Sequence, residues 1–160
     1  MKIEIIPAYH KTDDIRTLFT EYTELLTAGD AEFRDYLKIQ HYDDELEHPE
    51  QKYGYPEGRL YIALCDGNTA GCVALQKING TSCEIKRLYV RDAYRGKGIG
   101  NVLTDKLIDD ARQIGYQHIL LDTFPFLKRA IHMYRVRGFR EIEKYNDSPM
   151  ASTIYMKLDL

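Results

Sequence analysis

Hydrophobic positions recur along the chain with two different periods. Lys2–Ile6 reads as a short strand. From Ile15 the apolar residues Ile15, Leu18, Phe19, Tyr22, Leu25 and Leu26 fall on one face at helical spacing, with Asp13 placed to cap the helix and Gly29-Asp30 to end it. Phe33, Tyr36 and Leu37 predict a second helix. Residues 41–58, HYDDELEHPEQKYGYPEG, are polar, hold both Pro and Gly, and read mostly as loop. Three strand patterns follow closely. RLYIALC runs into a turn at Asp66-Gly67-Asn68, AGCVALQK ends at Asn79-Gly80, and CEIKRLYV is the third. At Ile99 the period becomes helical: Ile99, Val102, Leu103, Leu107, Ile108, Ala111 and Ile114 share a face, and Gly115 stops the helix. HILLDT is a short buried strand, 127–137 a helix stopped by Gly138, and Arg140–Tyr145 and Thr153–Leu158 are two closing strands. This order predicts an α/β (α+β) fold with a mixed, mostly antiparallel twisted sheet of about six to seven strands, flanked by about four helices.

The 160 residues suit one domain, 1–160, with no internal repeat or linker. A net charge of −3 disfavours wholesale binding to nucleic acid or to an anionic membrane. The start lacks a signal-peptide pattern, and no apolar run is long enough to span a bilayer. Cys65, Cys72 and Cys83 are odd in number and fit no zinc spacing. They read as small buried apolar residues of a cytoplasmic protein. None of the five histidines forms a ligand spacing or a triad, so no metal is expected, and no GxSxG motif suggests serine hydrolysis.

The densest chemical signal is YRGKGIGN, Tyr94–Asn101, three glycines in five positions at the mouth of a helix. Such a helix start leaves about four backbone N–H groups unpaired and adds roughly half a positive charge, and glycines let a phosphate approach them. A Walker loop is excluded, because Lys97 precedes Gly98 and no hydroxyl follows. The dinucleotide GxGxxG pattern fails at Asn101, and four residues separate Val90 from Arg95 where that loop turns directly off its strand.

Arg95-Gly96-Lys97-Gly98-Ile99-Gly100 instead has the form R-x-x-G-x-G, and here the chain resembles the GNAT superfamily of acetyl-CoA-dependent N-acetyltransferases. The resemblance extends over roughly residues 84–140. LYV with RDAYRGKGIGNVLTDKLIDDARQIGY is similar to the family's fourth strand, pyrophosphate loop and third helix, ILLDT to its fifth strand, and AIHMYRVRGF to its A-x-x-x-Y-x-x-x-G-F helix. It implies splayed strands four and five, with the pantetheine arm of acetyl-CoA lying between them like an added strand against Leu88, Tyr89 and Val90. It implies that Arg95, Gly96, Lys97, Gly98, Ile99, Gly100 and Asn101 hold the pyrophosphate. It departs from the family at Leu127, where many members carry an Asn that bonds this arm. Among Lys128, Arg129, Arg135, Arg137 and Arg140, some could meet the 3′-phosphate; a solvated helix face is the competing reading.

Acetyl transfer requires a deprotonated amine, a donor to the thioester oxygen and, for the leaving thiolate, an acid. The resemblance places the acid on Tyr134, in contact with the cofactor. It offers Glu84 as general base, on the same strand parity as Lys86, Leu88 and Val90, and Asp122 as second choice. A structural ion pair with Lys86 or Arg87 competes for both. Positioning alone also accelerates attack by an amine that is already partly deprotonated. The N–H of Leu88 or Val90, through the strand bulge typical of the family, is the expected oxyanion donor.

The expected partner is a small-molecule or peptide amine, and the chain a monomer or homodimer. Residues 30–57 hold nine acidic and three basic residues, an acidic rim suited to a cationic amine or an ordinary solvated surface. Tyr36, Tyr42, Tyr53 and Tyr55 either line a pocket or cover the core. A non-catalytic acyl-CoA-binding or regulatory module on the same fold is the alternative.

Overall fold

A computed structural model describes residues 1–160. Its seven strands form one sheet: β1 (Ile3–Pro7), β2 (Arg59–Cys65), β3 (Asn68–Lys77), β4 (Ser82–Val90), β5 (His118–Thr123), β6 (Arg140–Ile142) and β7 (Ile154–Asp159), in the order β1-β2-β3-β4-β5-β7-β6. Every neighbouring pair is antiparallel except β4 and β5. The β2–β3 loop is the expected tight turn, with Asp66 at φ 49° and Gly67 at φ 83°, the two positive values that a hairpin of this hand requires. At the next turn the Asn79 side chain accepts from the N–H groups of Thr81 and Ser82.

Alternation along the strands sorts side chains to two faces. Tyr61, Ala63, Val73, Leu75, Cys83 and Ile85 pack with Leu103 and Leu107 of α5 (Ile99–Ile114) and with Tyr134 of α6 (Lys128–Val136). Leu60, Ile62, Cys72 and Ala74 pack with Ile15, Leu18 and Phe19 of α1 (Thr12–Gly29) on the other face. A third, smaller cluster joins Leu26 of α1 and Phe33 and Tyr36 of α2 (Phe33–Ile39) to Phe124 and Met150. All three cysteines are buried and free. No helix is long and apolar enough to cross a membrane.

Several expectations change. The polar 41–58 segment folds as two short helices, α3 (Tyr42–Glu47) and α4 (Pro49–Tyr53), giving six α-helices instead of about four. Their apolar faces are only a few residues wide, too short to register as a period. Proline, read as a loop signal, starts α4, where its missing N–H costs nothing. Asp13 is not the cap: α1 begins at Thr12, and Asp13 sits in its first turn. β6 stops at Ile142. Val102, expected on the buried stripe, is 39% exposed.

Candidate active site

β4 and β5 pair only from Ser82–His118 to Glu84–Leu120, at the start of both strands. Beyond that they separate, and their open edges become walls of a cleft of about 710 Å³. The separation begins beside a bulge. Cys72 pairs with Tyr89 and Ala74 with Lys86, so Val73 of β3 faces two residues of β4, Arg87 and Leu88. Arg87 takes φ 59° to absorb the extra residue. The bulge overturns the expected parity. Leu88 and Val90 turn to the α5 side and pack on the main core, whereas Tyr89, like Arg87, points to the α1–α3 side. Arg91 donates its N–H to Ala70 of β3; strand alternation therefore directs the N–H groups of Val90 and Leu88 toward the gap.

At one end of the cleft the chain leaves β4 through a 3₁₀ turn, Asp92–Tyr94, and enters α5 at Gly98. Gly96 and Gly98 stand at φ 77° and 79°, a backbone that L side chains adopt only at a cost of about 1–2 kcal/mol. A Cβ on either would meet nothing within 4 Å. Conformation demands glycine here, and the space beside the loop stays open. Arg95 is braced by Asp92 at 2.8 Å and by the Val90 carbonyl at 3.2 Å. Arg95, Gly96, Gly98, Ile99, Gly100 and Asn101 all line the cleft; Lys97 does not. Lys128 and Arg129 flank it and also border a second hollow of about 520 Å³ with Asn101, His132 and Arg137. Arg137 and Arg140 are engaged by Asp105 and Asp159, at 2.7 and 2.8 Å.

Tyr134 lines the same cleft from α6, its ring against Phe139. Burial first, then the neighbouring Tyr22 and Asp122, hold its hydroxyl well above the ordinary range, so it is a neutral phenol at any physiological pH. Leu88, Tyr89 and Val90 are on the facing wall.

The other end of the cleft holds Asp122, Tyr36, Gln40, Lys86 and Arg87. Asp122 Oδ2 accepts from the Tyr36 hydroxyl and from Asn146 Nδ2 (2.8 Å). Burial and Asp122 push the Tyr36 phenol upward, so the proton stays on tyrosine. Glu84 lies outside the cleft wall. It accepts from Tyr145, and Lys86 stands 3.7 Å away. Of the competing ion pairs, Lys86 with Glu84 is present at 3.7 Å, whereas Arg87 pairs with neither Glu84 nor Asp122. It is bound to Glu45 of α3 at 2.7 Å, and Gln40 accepts a further bond. The acidic rim is also absent: none of the nine acidic residues of 30–57 lines the cleft, and Glu45 is buried beneath Arg87 and Lys52. Of the four tyrosines considered, Tyr36 lines the cleft, Tyr42 lies under the Arg87 guanidinium, Tyr53 is core and Tyr55 is exposed.

A sequence model of the acetyltransferase (GNAT) family matches residues 14–139. The chain belongs to this family. It is thereby an acyltransferase. An uncharacterized N-acetyltransferase of Schizosaccharomyces pombe is 37% identical over 150 residues, covering 92% of this chain and 88% of that one. Another uncharacterized N-acetyltransferase, from Dictyostelium discoideum, is 29% identical with both chains fully covered. Among solved structures, the PaiA N-acetyltransferase of Thermoplasma acidophilum, in complex with coenzyme A, superposes with a TM-score of 0.76 at 19% identity over 100% of each chain. The parallel, splayed β4–β5 pair and the glycine loop before α5 are the GNAT features in this chain's own geometry.

Sequence reasoning missed Lys86 and Arg87 as cleft residues, and Tyr145 and Asn146 entirely. The run EIKR was the available signal: two adjacent cations inside a central strand are out of place in a core. Tyr145 and Asn146 carry no local signal, since they reach Glu84 and Asp122 from the β6–β7 loop.

Proposed function

We propose that this chain, as one catalytic domain over 1–160, transfers the acetyl group of acetyl-CoA to a primary amine by direct attack in a ternary complex. One observation carries the reading: a single cleft joins the glycine loop, the open edge of β4, Tyr134 and Asp122. The residues fit coenzyme A. Gly96, Gly98 and the first N–H groups of α5 form an open cradle for the pyrophosphate. The free edge of β4 suits the pantetheine amides. Lys128 and Arg129 suit the 3′-phosphate.

The thioester supplies the acetyl group and a thiolate leaving group. Asp122, oriented by Tyr36 and Asn146, binds the ammonium and takes or relays its proton. The nitrogen lone pair then forms the C–N bond, the C–S bond breaks with its electrons on sulfur, and the acylated nitrogen releases its second proton to solvent. The N–H groups of Leu88 and Val90 stabilise charge on the carbonyl oxygen. Tyr134 donates a hydrogen bond to the departing sulfur. Its firmly held proton makes full transfer uphill, and solvent can complete it. Asp122 is preferred to Glu84 because it faces the cleft.

The test is a panel of primary amines assayed for thiol release from acetyl-CoA, beside calorimetry of acetyl-CoA binding. Turnover with at least one amine is expected. Tight acetyl-CoA binding without turnover of any amine would establish a binding module instead, and absence of binding would remove both readings.

A further inference from the structure

Two cations stand side by side on β4, and the protein treats them differently. Arg87 is held by Glu45 and Gln40 through three hydrogen bonds from Nε and Nη2. Lys86 is not so held. Its side chain is only 7% exposed, lines the cleft, and carries three N–H donors, yet it makes no hydrogen bond within the chain. The nearest carboxylate oxygen, Glu84 Oε1, is 3.7 Å away, and Oε2 of that carboxyl already takes the Tyr145 hydroxyl. That ion pair is longer than a hydrogen bond, and the ammonium opens on the cleft, where an anionic group can supply the short contacts it lacks in the chain. Asp122 borders the same space with Oδ1 accepting from no group of the chain. Leu25, Leu26, Phe33 and Phe124 add an apolar surface to the same cleft, the two rings edge to face at 5.6 Å.

We infer that the acceptor is a zwitterionic amine, a free amino acid with an apolar side chain. Its carboxylate meets Lys86, its ammonium meets Asp122, and its side chain lies against Phe33 and Phe124. A polyamine is disfavoured, because its second cation would face Lys86 and Arg87. The inference rests on the acetyl-transfer reading and uses the same chemistry: the ammonium nitrogen gains the acetyl group and loses two protons, one released to solvent through Asp122 and one balancing the proton that sulfur takes up, so that coenzyme A leaves as the thiol.

Matched pairs differing only in the carboxylate test it: L-phenylalanine against phenethylamine, and L-leucine against 3-methylbutylamine, with spermidine as the polycation. Thiol release and the mass of the acetylated product are read. The amino acid of each pair should show a kcat/KM higher by about tenfold to a hundredfold, the range for a charge-assisted contact. Lys86→Met and Lys86→Gln should each abolish most of that preference through the KM for the amino acid, with the KM for acetyl-CoA little changed. The inference is overturned if phenethylamine, 3-methylbutylamine or spermidine is used as well as the amino acids, and the wild-type pairs decide this even if a Lys86 variant is unstable. It is also overturned if the preference survives in both variants. If none of these five compounds releases thiol while another primary amine does, this inference fails and the acetyl-transfer reading stands; if acetyl-CoA binds and no primary amine of the wider panel releases thiol, both fail.

Discussion

Arg87 on β4 and Glu45 on α3 form a buried two-point ion pair, Nε to Oε2 at 2.7 Å and Nη2 to Oε1 at 2.9 Å. The pair fastens a short helix, too small to be stable alone, onto the bulge where β4 leaves β5. It thereby holds one wall of the cleft. Lys52 adds a third contact to Glu45 at 2.9 Å.

Glu45→Gln leaves a buried guanidinium without its counter-charge and is expected to lower stability by about 3 kcal/mol, read from urea unfolding at pH 7. Burial alone would raise the Glu45 carboxyl, but Arg87 and then Lys52 outweigh it and bring it down to about 2 from an ordinary 4.5. A lowered folded value means the stabilisation is complete above pH 4.5 and is lost as pH falls toward 2. That contribution is worth about 3 kcal/mol. Urea midpoints of the wild type should therefore fall across this window more steeply than those of Glu45→Gln.

Tyr134→Phe removes the hydrogen-bond donor nearest the expected sulfur while keeping the ring. A fall in kcat of about a hundredfold is expected, with acetyl-CoA affinity by calorimetry close to wild type. Unchanged turnover with the best amine would show that the thiolate leaves without this phenol.

Asp122 and Glu84 can be separated by isosteric amides. Asp122→Asn should reduce kcat/KM for the amine by about a hundredfold or more. Glu84→Gln, behind the cleft wall, should cost less than about tenfold in the same assay. The reverse ranking would return the base to Glu84.

Gly98→Ala introduces a Cβ at φ 79° on the rim of the open cradle. About 1 kcal/mol of destabilisation is expected from the backbone, visible in thermal unfolding. Acetyl-CoA affinity should weaken by about tenfold or more, because the methyl group occupies the approach to the first N–H groups of α5.

The legible parts of this protein were those with a local cause. The meander, α5 and β5 follow from periods of two and 3.6 and from turn residues such as Asp66-Gly67. The glycine loop was legible because positive φ at Gly96 and Gly98 restricts residue type in place. α3 and α4 were not, since their stability comes from Glu45 and Tyr53 packing on other elements.

The candidate site divides along the same line. The sequence by itself determined the family, the glycine cradle and the presence of Tyr134 on a buried helix face, because each depends on residues close together in the chain. Only the tertiary structure decided which carboxylate reaches the cleft, which way Leu88 and Val90 face, and that Lys86 lines it with no hydrogen bond and only the Glu84 ion pair at 3.7 Å. One extra residue in β4 reverses strand parity beyond Lys86, and partners from α2, α3 and the β6–β7 loop then settle each side chain. Those contacts join residues dozens of positions apart, and no pattern along the chain encodes them.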